Sequence, residues 1–322
     1  KRQVYVICAN SVSVLSGAQM EDLSPPAGVS WFNDASAGFD PESGALIIYA
    51  ATFSWRRGEG AKSDLYVSSD GGRSWTSRKQ DMVAKVPEGA PEPRFRAIGS
   101  CLSNGRVAYL SYMNLAGGED ENFFGVAKTS DAGKTWQLVW KEDEEIGENM
   151  APGWLSLRFG PGWGENPISI GVAPNNPDVV YGTDYGRTMH SKDGGKTWMP
   201  AYSRKLDGGW TTTGLDVTTC YGVHFDPFNK NRTFISYTDI GLMASDDGGT
   251  TWNSATTEGV PRGWVNTTYW MEFDREVEGR VWAVMAGSHD LPRPKMWRCR
   301  GRVRNSGGLC VSNDGGRTWQ TC

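Results

Sequence analysis

The segment Ser68-Ser-Asp-Gly-Gly-Arg-Ser-Trp75 decides the fold, because the same pattern returns along the chain. Five copies of Ser/Thr-x-Asp-x-Gly-x-x-Trp, here called boxes, are present, and their Asp residues lie 61, 62, 54 and 67 positions apart. The other copies span 129–136, 191–198, 245–252 and 312–319. Repetition at a near-constant period indicates one supersecondary unit stacked repeatedly on itself. The sequence therefore predicts a β-propeller.

Each box has the chemistry of a tight turn between two strands. A Ser or Thr hydroxyl and an Asp carboxylate can bond the backbone of their own turn, and Gly supplies a positive φ that a Cβ disfavours. The Trp then begins the return strand. We therefore assign the box carboxylates to the turn and not to catalysis: Asp70, Asp131, Asp193, Asp247 and Asp314.

With these five copies, residues 45–322 resemble the Asp-box (BNR-repeat) proteins, a group that includes sialidases, xyloglucanase-type glycoside hydrolases and sortilin-type receptor ectodomains. The resemblance implies an all-β propeller of four-stranded blades, with each box on the outer rim between the last two strands of its blade. We treat residues 1–322 as a single propeller domain. Closed propellers of this group typically have about six or seven blades. Five repeats fall short of that number, so we expect either a portion of a longer or tandem propeller, with the remainder of that chain as a partner, or a ring closed by strands from both ends.

Composition narrows the class of protein. Apolar residues make up 38% of the chain, and 41 Gly and 15 Trp suit short strands and tight turns. No apolar run reaches the about 18 residues that span a bilayer. The net charge of −4 gives no general attraction to nucleic acid or anionic membrane. We expect neither as a partner.

Cysteine spacing bears on metals and on location. The six Cys residues form no CxxC pair and have no His at ligand spacing, so we predict no metal site and no cofactor. An even count favours a secreted or periplasmic protein with at least one disulfide, and Cys299 with Cys310 closes the shortest loop. Cys101 and Cys220 lie on predicted strands, where thiols are an equal alternative.

Polar and aromatic side chains gather where the innermost strands begin, around the predicted central channel, and Gly-Trp steps precede several of these points. A pyranose offers an apolar face for stacking and a rim of hydroxyls, so this combination favours a carbohydrate cleft. Packing between neighbouring blades is the alternative use of the same Trp residues. The candidate substrate-binding residues are Trp31, Arg94, Arg96, Trp154, Trp163, Asn166, Trp210, Tyr221, Trp264 and Tyr269.

Two adjacent units share the tetrapeptide Thr-Asp-x-Gly after their second strand, at 183–186 and 238–241. It resembles the Thr-Asp-Ile/Val-Gly-Gly segment of xyloglucanase-type hydrolases, which bears a catalytic Asp. Arg187 and Leu242 stand where that family has the second Gly, and the Tyr-Arg-Trp that follows there is absent. A structural turn is the alternative reading. Glycoside hydrolysis needs two carboxylates, for which the candidates are Asp34, Asp184 and Asp239.

Two other enzyme activities are alternatives to glycoside hydrolysis by this chain. A polysaccharide lyase acting on uronic acids would need a base, an acid and a group that neutralises the carboxylate. The residues Arg94, Arg96, Asn166, Tyr221 and His224 offer such groups. Odd spacing nevertheless directs Tyr221 and His224 to opposite faces of one strand, and a buried structural His224 is the alternative. A sialidase is disfavoured, because residues 93–96 do not match its Arg-Ile-Pro signature.

The sequence thus predicts a secreted carbohydrate-active propeller, with glycoside hydrolysis of a polysaccharide as the leading function. A polysaccharide lyase and a non-catalytic carbohydrate- or protein-binding propeller stay open. Two acidic stretches, 117–122 and 141–148, are expected to be solvated loops.

Overall fold

The structure is a computed structural model that describes residues 3–56, 60–79, 82, 91–116, 122–214, 218–256, 258–288 and 307–322. The chain divides into two compact units, residues 1–202 and 203–322. Each unit is built from antiparallel sheets. Five sheets have four strands, and we call them blades 1 to 5 in chain order.

Unit 1 contains a three-stranded sheet and blades 1 to 3. The three-stranded sheet consists of β1 (Gln3–Ile7), β2 (Val12–Ser16) and β3 (Gln19–Leu23). Blade 1 consists of β4 (Trp31–Phe39), β5 (Leu46–Arg56), β6 (Gly60–Ser68) and β7 (Thr76–Ser77). Blade 2 consists of β8 (Arg94–Cys101), β9 (Asn104–Ala116), β10 (Asn122–Thr129) and β11 (Gln137–Glu142). Helix α1 (Trp154–Phe159) and a 3₁₀ turn (Pro161–Trp163) lead to blade 3, which consists of β12 (Ser169–Val172), β13 (Val180–Thr183), β14 (Thr188–Ser191) and β15 (Met199–Pro200).

Unit 2 begins with a hairpin and contains blades 4 and 5. The hairpin consists of β16 (Ser203–Leu206) and β17 (Gly209–Thr212). Blade 4 consists of β18 (Cys220–Phe225), β19 (Thr233–Tyr237), β20 (Leu242–Ser245) and β21 (Asn253–Ser254). A 3₁₀ turn (Arg262–Trp264) leads to blade 5, which consists of β22 (Thr267–Phe273), β23 (Val281–Ala286), β24 (Gly307–Ser312) and β25 (Gln320–Thr321).

The repeat predicted from the boxes is confirmed. Every box begins at the last residue of the third strand of a blade and ends immediately before the fourth strand. The all-β propeller fold class with four-stranded blades is therefore as expected, whereas the total number of blades and the single-domain assignment stay predictions.

First strands of consecutive blades lie side by side. In unit 1, the backbone N–H of Ile98 on β8 donates to Asp34 Oδ2 on β4 at 2.9 Å, and that of Ser100 donates to Ser36 Oγ at 2.9 Å. Buried side chains of blades 1 and 2 form one core that includes Tyr49, Leu65 and Leu110. In unit 2, Phe234 of blade 4 packs with Met271 and Val281 of blade 5. Blades 1 and 2 therefore bury faces against each other, and so do blades 4 and 5.

The boxes form the hydrogen-bonded turns expected of them. In the box of blade 3, Ser191 Oγ accepts the N–H of Gly195 at 2.8 Å and donates to Asp193 Oδ1 at 2.8 Å. The same Oδ1 accepts the N–H of Thr197 at 2.9 Å, and the Thr197 hydroxyl donates to Oδ2 at 2.6 Å. The hydroxyl of Thr197, followed by its N–H, lowers the pKa of Asp193 to about 2. The carboxylates of the other boxes make equivalent bonds.

We expect Asp193→Ala to lower the free energy of unfolding at pH 7 by about 1 kcal/mol, because several turn bonds are lost while their donors can reach water. The folded-state pKa lies below the unfolded value, so the parent loses this contribution as the pH falls from about 4 to 2. The difference in the free energy of unfolding between the variant and the parent should therefore disappear over that pH range. Urea denaturation at several pH values measures it, and the exposed Glu144→Ala is the control. A gap that stays constant with pH would contradict the assignment.

Some of the residues named in the sequence predictions lie outside the part of the chain that the structure describes. These are Cys299 of the proposed disulfide and residues 117–121 of the first acidic stretch. Cys101 and Cys220 do lie on strands, at the end of β8 and the start of β18. Among the described residues, no helix has the length and apolar character needed to cross a bilayer. In the same part of the chain, no three His, Cys, Asp or Glu side chains gather as a metal-binding group.

Candidate functional site

A cleft of about 670 Å³ opens in unit 1 where the first strands of blades 1 and 2 meet the segment before blade 3. Three of the candidate binding residues line it together: Arg94 and Arg96 from β8, and Asn166. Asn33 on β4 and Asn114 on β9 add further amide groups. The cleft therefore presents hydrogen-bonding side chains from blades 1 and 2 and from the segment before blade 3.

The amides of the cleft are held in fixed positions. Asn166 is buried, and its Nδ2 donates to Ser111 Oγ at 2.8 Å. Asn33 Nδ2 donates to the carbonyl of Phe95 at 2.9 Å. Trp31 lies beside the cleft, because its Nε1 donates to Asn33 Oδ1 at 3.0 Å. Its ring is 40% exposed and stacks on Phe53, a lining residue, with centroids 4.1 Å apart. A flat, partly exposed aromatic surface thus borders the polar lining.

Two cleft carboxylates were not singled out in the sequence. Glu92 forms an ion pair with Lys79, and Glu165 Oε2 lies 3.9 Å from Arg96 Nη1. Glu165 has a φ of 59° and Asn114 a φ of 62°, a conformation that few residues other than glycine adopt. Strained backbone of this kind tends to cluster at functional sites. No sequence pattern marks Glu165 beyond its place next to Asn166, so only the tertiary structure identifies it.

The carboxylate of Asp34 is occupied by backbone groups. Its Oδ1 accepts the N–H of Ala35 at 2.8 Å and its Oδ2 accepts that of Ile98 at 2.9 Å. The bond from Ile98 joins blade 1 to blade 2. Asp34 thus links two strands, and each of its carboxylate oxygens already accepts a backbone hydrogen bond.

Asp184 belongs to a buried ion cluster. Its Oδ2 lies 2.7 Å from Arg187 Nε, and Glu142 Oε2 lies 3.0 Å from Arg187 Nη2. The three side chains are at most 1% exposed. Arg187 Nη1 also donates to Ser156 Oγ on α1 at 3.3 Å, and Trp140 Nε1 donates to Glu142 at 2.8 Å. The residue that departs from the xyloglucanase pattern, Arg187, is therefore the partner that neutralises Asp184.

Asp239, the counterpart of Asp184 in unit 2, has different surroundings. It is half-buried, it adopts a φ of 64°, and its Oδ2 accepts the Thr218 hydroxyl at 3.2 Å. Leu242 stands in the place of Arg187 and is fully buried. Asp239 is thus half-buried and accepts a side-chain hydroxyl, whereas Asp184 lies in a buried ion cluster and Asp34 accepts two backbone N–H groups.

The remaining aromatic candidates of unit 2 lie around blades 4 and 5. Tyr221 and Tyr269 stand on the first strands of these blades with ring centroids 5.5 Å apart. Tyr269 donates its hydroxyl to the carbonyl of Ser288 at 3.2 Å. Trp264 packs against the core of blade 5. Trp210 lies on β17, where its backbone pairs with that of Trp252. Interblade packing accounts for Trp264, whereas the two tyrosines present partly exposed rings.

The Gly-Trp steps before blade 3 differ from each other. Trp154 is 7% exposed and begins α1, where it packs edge-on against Phe159. Trp163 is 36% exposed and stacks on Phe159, with ring centroids 5.2 Å apart. A Cβ on Gly186 would collide with the Trp163 ring. Trp154 therefore packs internally, and Trp163 is the partly exposed member of the pair.

Two histidines, His190 and His224, lie among the described residues. His224 is buried, its Nε2 lies 3.1 Å from Ser236 Oγ, and its ring contacts Trp270 edge-on. His190 stacks on Tyr181, not on Tyr185. Burial lowers the pKa of both imidazoles. The buried structural alternative for His224 therefore fits its contacts.

Comparison with known proteins gives one sequence relative and related folds. The chain is 27% identical over 205 residues to an oligoxyloglucan-reducing end-specific xyloglucanase of Emericella nidulans, which covers 59% of the chain but 21% of that enzyme. No family model matches. An ancestral GH74 enzyme superposes over 99% of the chain and 41% of its own, with a TM-score of 0.61 at 16% identity. The Niastella koreensis GH74 enzyme covers 99% of the chain and 53% of its own, with a TM-score of 0.42 at 14% identity. The ancestral enzyme and this chain share a fold, and the chain spans less than two thirds of the length of each of these proteins.

Proposed function

We propose that this chain is a secreted, carbohydrate-active propeller that hydrolyses the glycosidic bonds of a polysaccharide, with the cleft of unit 1 as one binding surface for that polysaccharide. The observation that carries the proposal is the lining of the cleft, where Arg96 and Asn166 offer hydrogen bonds beside the exposed ring of Trp31. Sugar-binding sites combine these features. Similarity to a xyloglucanase supports xyloglucan as the first polysaccharide to test.

Asp34, Asp184 and Asp239 are the candidates we propose for the catalytic carboxylates. Hydrolysis requires one carboxyl group to protonate the leaving oxygen and another to activate water or attack the sugar. The carboxylate of Asp34 accepts backbone N–H groups, and that of Asp184 is paired with Arg187. Their replacement should therefore affect the fold at least as much as the chemistry.

A panel of plant and algal polysaccharides tests the reaction class. The chain is incubated with each polysaccharide, and both new reducing ends and the absorbance of unsaturated uronates are followed. Reducing ends without unsaturated products, first on xyloglucan, are the expected result. Both signals together would replace hydrolysis by lyase chemistry. Binding without either signal would leave a carbohydrate-binding propeller, and neither binding nor products would overturn the proposal.

A further inference from the structure

The turn at 184–187 carries a large exposed aromatic side chain next to the cleft. Tyr185 is 61% exposed, and the guanidinium of Arg96 lies over its ring, with Cζ 4.9 Å from the centroid. Arg96 also donates a hydrogen bond to the Tyr185 hydroxyl. Arg96 lines the cleft, so Tyr185 extends the cleft wall from blade 2 towards blade 3.

The backbone that carries Tyr185 is fixed from several sides. Asp184 Oδ1 accepts the N–H groups of Gly186 and Arg187 at 2.9 and 2.5 Å. The N–H of Tyr185 donates to the carbonyl of Gly164 at 3.3 Å. The buried ion cluster of Asp184, Arg187 and Glu142 anchors the turn to β11. An aromatic ring on such an anchored turn is pre-organised, which reduces the entropy lost on binding.

We propose that Tyr185 and Arg96 form a sugar-binding subsite at the blade 3 edge of the cleft, with the buried ion cluster positioning Tyr185. The exposed ring stacks against the apolar face of a pyranose, and Arg96 donates to the hydroxyls of the same residue. Glu165, 3.9 Å from Arg96, is an acceptor for a hydroxyl on the same sugar. This subsite rests on the proposed function, since its ligand is a residue of the polysaccharide bound in the cleft.

Binding of xyloglucan oligosaccharides and of cellohexaose, measured by isothermal titration calorimetry, tests the subsite. Tyr185→Ala should raise Kd about tenfold, because the stacking surface is lost. Tyr185→Phe keeps the ring and should change Kd by no more than about threefold. Tyr181→Ala is the control, because Tyr181 is also exposed but packs on His190 outside the cleft lining. It should leave Kd unchanged.

The positioning role has its own test. Glu142→Gln weakens the ion cluster without touching Tyr185, so Tyr185→Ala should cost less affinity in that background than in the parent. A merely structural role for the cluster would leave the cost of Tyr185→Ala the same in both backgrounds.

The outcomes separate the two proposals. If the parent binds the oligosaccharides and Tyr185→Ala binds them equally well, the subsite is wrong and the proposed function stands. If the parent binds neither probe, the subsite is overturned, and the polysaccharide panel decides separately on the proposed function.

Discussion

Replacing Arg187 by Met is expected to lower the free energy of unfolding by about 3–5 kcal/mol, or to prevent folding. The substitution preserves much of the side-chain volume but leaves Glu142 and Asp184 as buried carboxylates without their cation. Burying a charge without a partner costs far more than losing an exposed ion pair. Urea denaturation followed by tryptophan fluorescence measures the change.

The same substitution at an exposed ion pair is the control. Arg275 Nη2 lies 4.0 Å from Glu272 Oε1, and both side chains are largely exposed. Arg275→Met should change the free energy of unfolding by less than about 1 kcal/mol. Adding Glu142→Gln and Asp184→Asn to Arg187→Met should recover part of the loss, because the stranded charges are removed. Equal effects of Arg187→Met and Arg275→Met would contradict the buried ion cluster.

Replacing Asp239 by Asn is expected to slow hydrolysis about 100-fold or more, because we propose Asp239 as a catalytic carboxylate. Asn keeps the size and polarity of the side chain but cannot transfer a proton at neutral pH. Its backbone also tolerates the left-handed φ of 64° at this position. The turn should therefore persist while the chemistry is lost, and the Kd for oligosaccharide should change little.

Rates on the polysaccharide that the parent cleaves, together with melting temperatures, measure this effect. Asp207→Asn is the control, because Asp207 is exposed on the turn between β16 and β17. It should retain the parent rate. Full turnover by the Asp239→Asn enzyme would remove Asp239 from the mechanism and would direct attention to the cleft carboxylates Glu92 and Glu165.

Asp184 and Asp239 show that the same local sequence pattern does not determine the surroundings of its carboxylate. Both tetrapeptides read Thr-Asp-x-Gly, and the sequence treats their carboxylates alike. In the structure one is sealed in an ion cluster and the other is partly exposed. The sequence contained a clue, since Arg187 and Leu242 differ at the next position. The partner Glu142 is 45 residues away from Arg187, so that no local pattern could reveal it.

The candidate cleft was predictable only in part. Arg94, Arg96 and Asn166 were selected because they stand near the start of first strands, and the structure places them in one cleft. Trp154, chosen by its Gly-Trp step, packs internally instead. A Trp beside a Gly has the same local sequence whether its ring faces solvent or a helix, because exposure depends on what the rest of the chain places against it.

The sequence by itself determined the repeat, the box turns and the class of the fold. These follow from bonds within eight residues, such as those of Ser191, Asp193 and Thr197, and from strands that pair with their neighbours along the chain. Only the tertiary structure decided which polar groups line a cleft, which carboxylate is neutralised and where Tyr185 lies. Those features join side chains 45 to 89 positions apart, Glu142 with Arg187 and Arg96 with Tyr185, and their geometry exists only after the blades have packed.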